Sequence, residues 1–150
     1  METTISLIKR LHSCGLRPTP QRVAVFTFLR KQEHRKHPTA EEVYAALVPE
    51  YPTLSRTTVY QTLDALCKCG LIAKLAVEEG EMRFEANTTD HGHFKCTHCG
   101  KIFDFEYPVT MDFPQPLDGF DIKEKHLYYK GICKKCQAQV QKPPTVLLQS

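Results

Sequence analysis

Apolar residues recur at helical spacing from Ile5 to Leu66, and polar breaks cut the run into four stretches. Ile5, Leu7, Ile8 and Leu11 predict a short amphipathic helix ending near Gly15. Arg17-Pro18-Thr19-Pro20 breaks it, with Thr19 suited to an N-cap and Pro20 to the first helical position. Val23, Val25, Phe26 and Leu29 then carry a second helix to about Lys31. After the polar connector 33–38, Thr39 and Glu42 have the spacing of a capping box, and Val43, Tyr44 and Leu47 extend a third helix to Pro49. Ser55 caps a fourth helix that Gly70 stops; Val59, Leu63 and Leu66 should face inward. From there the period changes. Residues 71–77 and 82–86 predict two strands around Glu78-Glu79-Gly80-Glu81.

Helices followed by a two-stranded hairpin describe a winged helix-turn-helix whose fourth helix enters the major groove. Arg56, Thr57, Tyr60 and Gln61 fall on its outer side. A guanidinium and an amide there can pair with base edges, and hydroxyls can bond phosphates. The blander alternative is a small helical domain with a solvated, hydroxyl-rich face.

Past the hairpin the chemistry changes. Cys96 and Cys99 form a C-x-x-C pair, and Cys133 and Cys136 repeat it after 33 intervening residues. Two such pairs aim four thiolates at one tetrahedral zinc and leave no open position, so the site should be structural. A disulfide framework is the alternative, and it belongs to secreted chains. The start, Met1-Glu2-Thr3-Thr4-Ile5, has no basic segment leading into an apolar core, so no secretory leader is expected. Seven cysteines then point to a reducing, cytoplasmic setting. Harder donors surround the first pair. His91 and His93 share a face on an extended segment, and Asp104 follows. Imidazole and carboxylate donors suit iron(II), manganese(II) or zinc in exchangeable sites.

Charge adds less. The net +3 is modest, but residues 1–76 hold eleven Lys/Arg against six Asp/Glu, a local excess of +5. That is compatible with nucleic-acid binding without requiring it.

Arg17-Pro18-Thr19-Pro20-Gln21-Arg22, His37-Pro38-Thr39-Ala40-Glu41-Glu42-Val43-Tyr44, Thr57-Thr58-Val59-Tyr60 and the histidine–cysteine stretch 91–105 occur in one order. Together they resemble the ferric uptake regulator (Fur) family of bacterial metal-dependent repressors, over roughly Leu16 to Cys136. The resemblance implies an α+β chain: an N-terminal winged-helix DNA-binding domain over 1–86, a hinge at 87–90, a small α/β dimerisation and metal-binding domain over 91–136 with a structural zinc site, and a tail over 137–150. It also implies a homodimer on palindromic operator DNA. Arg17, Ser55, Arg56, Thr57, Thr58, Tyr60 and Gln61 are the candidate DNA contacts.

Within the family the chain is most similar to the peroxide-responsive (PerR-like) branch. There three histidines and two carboxylates hold regulatory iron or manganese; the matching positions are His37, Glu85, His91, His93 and Asp104. Peroxide then oxidises a ligand imidazole, here His37 or His91, and metal and DNA are released. Asp104 follows this branch, whereas Glu85 stands where the branch commonly has aspartate. Zinc would stay at Cys96, Cys99, Cys133 and Cys136.

Pro108, Pro114 and Pro116 occupy the place of the family's dimerisation helix, which should be very short or absent here. The dimer would then rest on strands around 94–105 and 120–131, with Phe113, Leu117 and Phe120 either interface anchors or ordinary core residues. A strand over 126–130 precedes the second cysteine pair. His126 is either a further ligand or a surface histidine, and the tail from Gln137 should fray. Three other functions compete: a sensor of iron, zinc or manganese availability, a non-haem iron oxygenase built on a facial triad, and a plain zinc-ribbon interaction module. Five protein ligands leave the oxygenase little room for substrate.

Overall fold

The structure is a computed structural model that describes residues 2–31, 37–78, 80–108 and 115–140. The chain divides into two compact units, Met1–Thr89 and Asp90–Ser150. Among the described residues no helix is long and apolar enough to cross a membrane.

The first unit contains α1 (Thr4–Ser13), α2 (Pro20–Lys31), α3 (Ala40–Leu47), α4 (Arg56–Lys68), β1 (Ala73–Glu78) and β2 (Glu81–Glu85). The capping signals hold up in detail. Thr39 accepts from the Glu42 backbone N–H, and Glu42 returns a carboxylate to the Thr39 N–H at 2.8 Å. Ser55 accepts from the Thr58 N–H, and Thr19 from that of Arg22. Gly70 ends α4 at φ +72°, the left-handed conformation that glycine adopts without a Cβ clash. Val25, Phe26, Leu11, Val43, Val59, Leu63 and Leu66 are fully enclosed in one core. Each such side chain contributes about 1.5–3 kcal/mol by leaving water. Leu71 and Ile72, expected to begin a strand, instead plug this core between α4 and β1.

The second unit is built on a three-stranded sheet in the order β4-β3-β5, from β3 (Gly92–Cys96), β4 (Ile102–Phe105) and β5 (Tyr128–Gly131). β3 pairs antiparallel with β4 and parallel with β5. One face carries Phe94, Phe103, Phe105 and Tyr129; Phe105 stacks on Tyr129 at 5.6 Å between ring centres. A helix α5 (Lys134–Val140) follows.

Four expectations need correction or limits here. The last strand is Tyr128–Gly131, not 126–130, because register with β3 begins at the His93–Tyr128 pair. Residues 137–140 are helical, since Lys134 starts a helix that carries Cys136 inward; the rest of the tail lies outside the described residues. Of the proline-rich segment, 109–114 lie outside them too, Phe113 included, and a single 3-10 turn spans Gln115–Leu117. Leu117 and Phe120 are exposed, so neither packs in a core.

Candidate metal centres and recognition helix

His37 is placed by a backbone device that sequence spacing does not reveal. The segment 37–39 lies along β2, with an antiparallel bridge between Thr39 and Arg83 and a hydrogen bond from the Phe84 N–H to the Pro38 carbonyl at 3.0 Å. Continuing that register sets His37 opposite Glu85. Their side chains meet, His37 Nε2 to Glu85 Oε2 at 3.1 Å, and both residues are buried. Arg83, which sequence reasoning missed, donates from Nη1 to the His37 carbonyl at 2.9 Å and anchors the segment. The capping box at Thr39 fixes the other end.

The second unit builds a similar pair from its own sheet. His93 stands directly opposite Asp104 in the β3–β4 register, with Nε2 3.6 Å from Oδ1. His91, two residues earlier on the same face, brings its Nε2 to 3.8 Å from that oxygen, and the two imidazole centres are 4.5 Å apart. Gly92 between them is a requirement of packing. A Cβ there would sit 2.3 Å from the Phe105 ring, which covers the opposite face. Sequence reasoning also missed Gly92; a glycine between two histidines carries no packing signal by itself. His126 stays exposed, with its Nε2 3.3 Å from Glu124.

The four cysteines converge within the second unit. Their sulfurs all lie within 4.8 Å of one another, with Cys99 and Cys133 at 3.9 Å. A tetrahedron with zinc–sulfur bonds of about 2.3 Å has edges of about 3.8 Å, so the donor set fits zinc. Burial pushes the Cys96 thiol up, but backbone N–H groups of Cys133, Cys99 and His98 outweigh it and bring it down to about 6. Hydrogen bonds to sulfur that favour thiolate are what a resident cation needs. Cys136 is held high by burial and then by hydrogen bonds with the Cys133, Cys99 and Cys96 thiols. Cys14, Cys67 and Cys69 lie in the first unit and join neither set; burial raises Cys67 to about 11, as for an inert core thiol.

On α4, Arg56, Thr57, Tyr60 and Gln61 are exposed, as is Arg17 before α2. Ser55 and Thr58 differ from the other candidates. Their hydroxyls bond each other at 2.9 Å, and the Ser55 oxygen also caps the helix. A cleft of about 640 Å³ runs between α4 and the hairpin, lined by Tyr60, Gln61, Asp64, Lys74 and Met82 among others.

Comparison with known proteins bears on all these features. The sequence model of the ferric uptake regulator family matches residues 13–130. The peroxide-responsive repressor PerR of Staphylococcus aureus is 37% identical over 133 residues, covering 87% of this chain and 88% of that protein. Among solved structures, the Helicobacter pylori ferric uptake regulator, described with three functional metal-binding sites, is similar with a TM-score of 0.69 at 25% identity, over 91% of this chain and 95% of that one. PerR of Streptococcus pyogenes, described for peroxide sensing and gene regulation, matches with a TM-score of 0.52 at 26% identity, over 91% and 95%. The α+β fold, the four-cysteine cluster and the histidine–carboxylate pairs agree with this match. The chain belongs to the ferric uptake regulator family.

Proposed function

We propose that this member of a metal-responsive repressor family senses hydrogen peroxide through a regulatory metal held by His37, Glu85, His91, His93 and Asp104. The observation that carries the proposal is the pair of prepared half-sites: His37 on Glu85 in the first unit, and His91 and His93 on Asp104 in the second. Three imidazoles and two carboxylates are nitrogen and oxygen donors suited to iron(II) or manganese(II), and they contain no thiolate to favour the zinc of the cysteine cluster.

Each carboxylate has its histidine neighbour fixed by strand register, so little ordering is left to do when a cation arrives. Binding of one ion by both half-sites ties the two units at one angle. In a dimer that angle sets the separation of two α4 helices, which must match half-sites roughly 34 Å apart. The loaded chain therefore favours the operator-binding state, by the difference in metal affinity between the two states. The aromatic face of Phe94, Phe103, Phe105 and Tyr129 is the surface through which the second unit would dimerise, with Tyr129 and Phe103 about half exposed.

Iron(II) in this set supplies the one-electron chemistry by which peroxide oxidises an adjacent imidazole. One oxygen of the peroxide ends on the ring of His37 or His91, and the other leaves as water. The oxidised ring is a poorer donor. If it is His37, the first unit keeps only Glu85 as a ligand, and the tie between units is lost with the operator. His93 and Asp104 remain on their strands, so the second unit keeps its fold and its four thiolates.

The test is anaerobic iron(II) loading, one equivalent of peroxide, peptide mass spectrometry and a parallel operator-binding assay. One added oxygen on the His37 or His91 peptide, with loss of binding, supports the proposal. Unmodified histidines with binding intact overturn it in favour of a repressor that reads metal availability, a reading favoured by Glu85 in place of the peroxide branch's usual aspartate. The manganese-loaded protein should change in neither case. Oxidation of Cys96 or Cys99 with zinc loss would point to a thiol mechanism instead.

A further inference from the structure

Arg56 opens α4 and is exposed, yet its guanidinium is held on two sides. Its Nε donates to both carboxylate oxygens of Glu41, at 3.1 and 3.0 Å. Its central carbon lies 4.4 Å from the middle of the Tyr44 ring. Glu41 and Tyr44 are three residues apart on α3, hence on one helix face. An edge contact and a face contact together fix the plane of the group as well as its position. Neither Nη group donates to any described residue, so the two together remain available as a fork.

Exposed ion pairs add little to stability, so this arrangement matters chiefly for what it orients. A phosphate contact needs positive charge but no fixed plane, and a carboxylate alongside repels phosphate oxygens. A guanine edge is different: its O6 and N7 accept two parallel N–H donors from one planar guanidinium. N-terminal residues of a recognition helix are also the ones that reach base edges.

We propose that Glu41 and Tyr44 are positioning residues that hold Arg56 as the guanine-reading residue of α4, its two Nη groups bonding O6 and N7 of one guanine in each operator half-site. This rests on the DNA-binding reading of the family match. Glu41 has a second effect: its charge weakens attachment of Arg56 to phosphates alone, so discrimination rises at the expense of non-specific affinity.

The experiment uses the full-length, zinc- and manganese-loaded protein. Selection from a randomised duplex library defines the operator, and competition at fixed salt then measures the loss on replacing each preferred guanine. Wild type should prefer one guanine per half-site by roughly 5- to 150-fold, the range for a bidentate pair. Glu41→Gln and Tyr44→Ala should flatten that preference while affinity for random duplex holds or rises, and Tyr44→Phe should retain it. Arg56→Ala should abolish it and Arg56→Lys should weaken it, since an ammonium can donate to O6 or N7 but has no planar fork for Glu41 and Tyr44 to orient. Variants with wild-type melting and zinc content that keep the full guanine preference overturn the proposal, as does an operator indifferent to every guanine. A wild type that enriches no sequence overturns the repressor reading itself, and this inference with it.

Discussion

Strand β3 carries donors for two metal sites on its opposite faces. His93 points to the side of Asp104, while Cys96, three residues on, belongs to the side of the four thiols. The two sets differ in softness, closure and reach. All four cysteines come from the second unit, from residues 96–136, and they close a tetrahedron with no position left over. The imidazole and carboxylate donors are divided between the units, two in the first and three in the second. A local, saturated site can only staple its own unit. A divided one, as proposed, would report on the relation between units, and harder donors would let the ion exchange. One strand thus serves stability with one face and, in our proposal, sensing with the other.

The sharpest way to break that comparison is to remove the staple. Cys96→Ser should release zinc and unfold the second unit, in which few of the described residues besides Cys96, Cys133 and Cys136 are buried. Structural zinc in small domains supplies about 10–16 kcal/mol of apparent binding energy, more than such a core can replace. The first unit should keep its helices, because its core from Leu7 to Phe84 involves none of the cysteine cluster. Circular dichroism melting and zinc analysis would check this. A cooperative wild-type transition in the zinc-free variant would show that the cysteines are not the staple.

His93→Ala should do the reverse. It removes a donor directly opposite Asp104 but leaves the thiol face of β3 alone. Zinc content should stay at one per chain. Manganese affinity should fall by more than the roughly 10- to 100-fold typical of losing a supporting second-layer contact. Operator affinity should drop to the level for random duplex. Loss of zinc together with manganese would mean that the two faces of β3 are not independent.

Gly92→Ala probes the same strand through packing. The new methyl would meet the Phe105 ring at 2.3 to 2.9 Å, and that ring is backed by Tyr129. Overpacking of this kind costs about 1–3 kcal/mol. The second unit should melt several degrees lower, at about 4–8 °C per kcal/mol for a domain of this size. Manganese affinity should weaken as His91 and His93 shift. An unchanged melt would show that the ring swings aside freely.

These contrasts also show what a sequence makes legible. Helix starts were readable because caps are local: Ser55, Thr39 and Glu42 act within one turn. The cysteine set was readable because two short spacings repeat. The pairing of His37 with Glu85, 48 residues apart, depends on an extended segment meeting β2, and no local signal encodes that meeting. Family resemblance named both residues, but only the register of Thr39 with Arg83 explains why they meet. The parallel β3–β5 pairing and the helix beginning at Lys134 were likewise unreadable; one is long-range, and the other starts inside a C-x-x-C with no capping residue. Arg56 was readable as an exposed cation, whereas its hold by Glu41 and Tyr44 needed the α3–α4 packing.

The smallest expected effect tests whether that register positions His37. Thr39→Ala removes the hydroxyl that caps α3 and leaves the backbone bridge to Arg83 possible. Loss of such a cap costs about 1 kcal/mol, a modest drop in the melting of the first unit. The residue lies two positions from His37, so loosening it widens the range of positions that the imidazole samples opposite Glu85. Manganese should therefore bind a few-fold more weakly, while zinc and the second unit's melting stay unchanged. Metal affinity that falls only in step with lost folded protein would assign Thr39 to stability alone. A fall seen well below the melting temperature, restored by Thr39→Ser, would place the capping box among the features that prepare the sensing site.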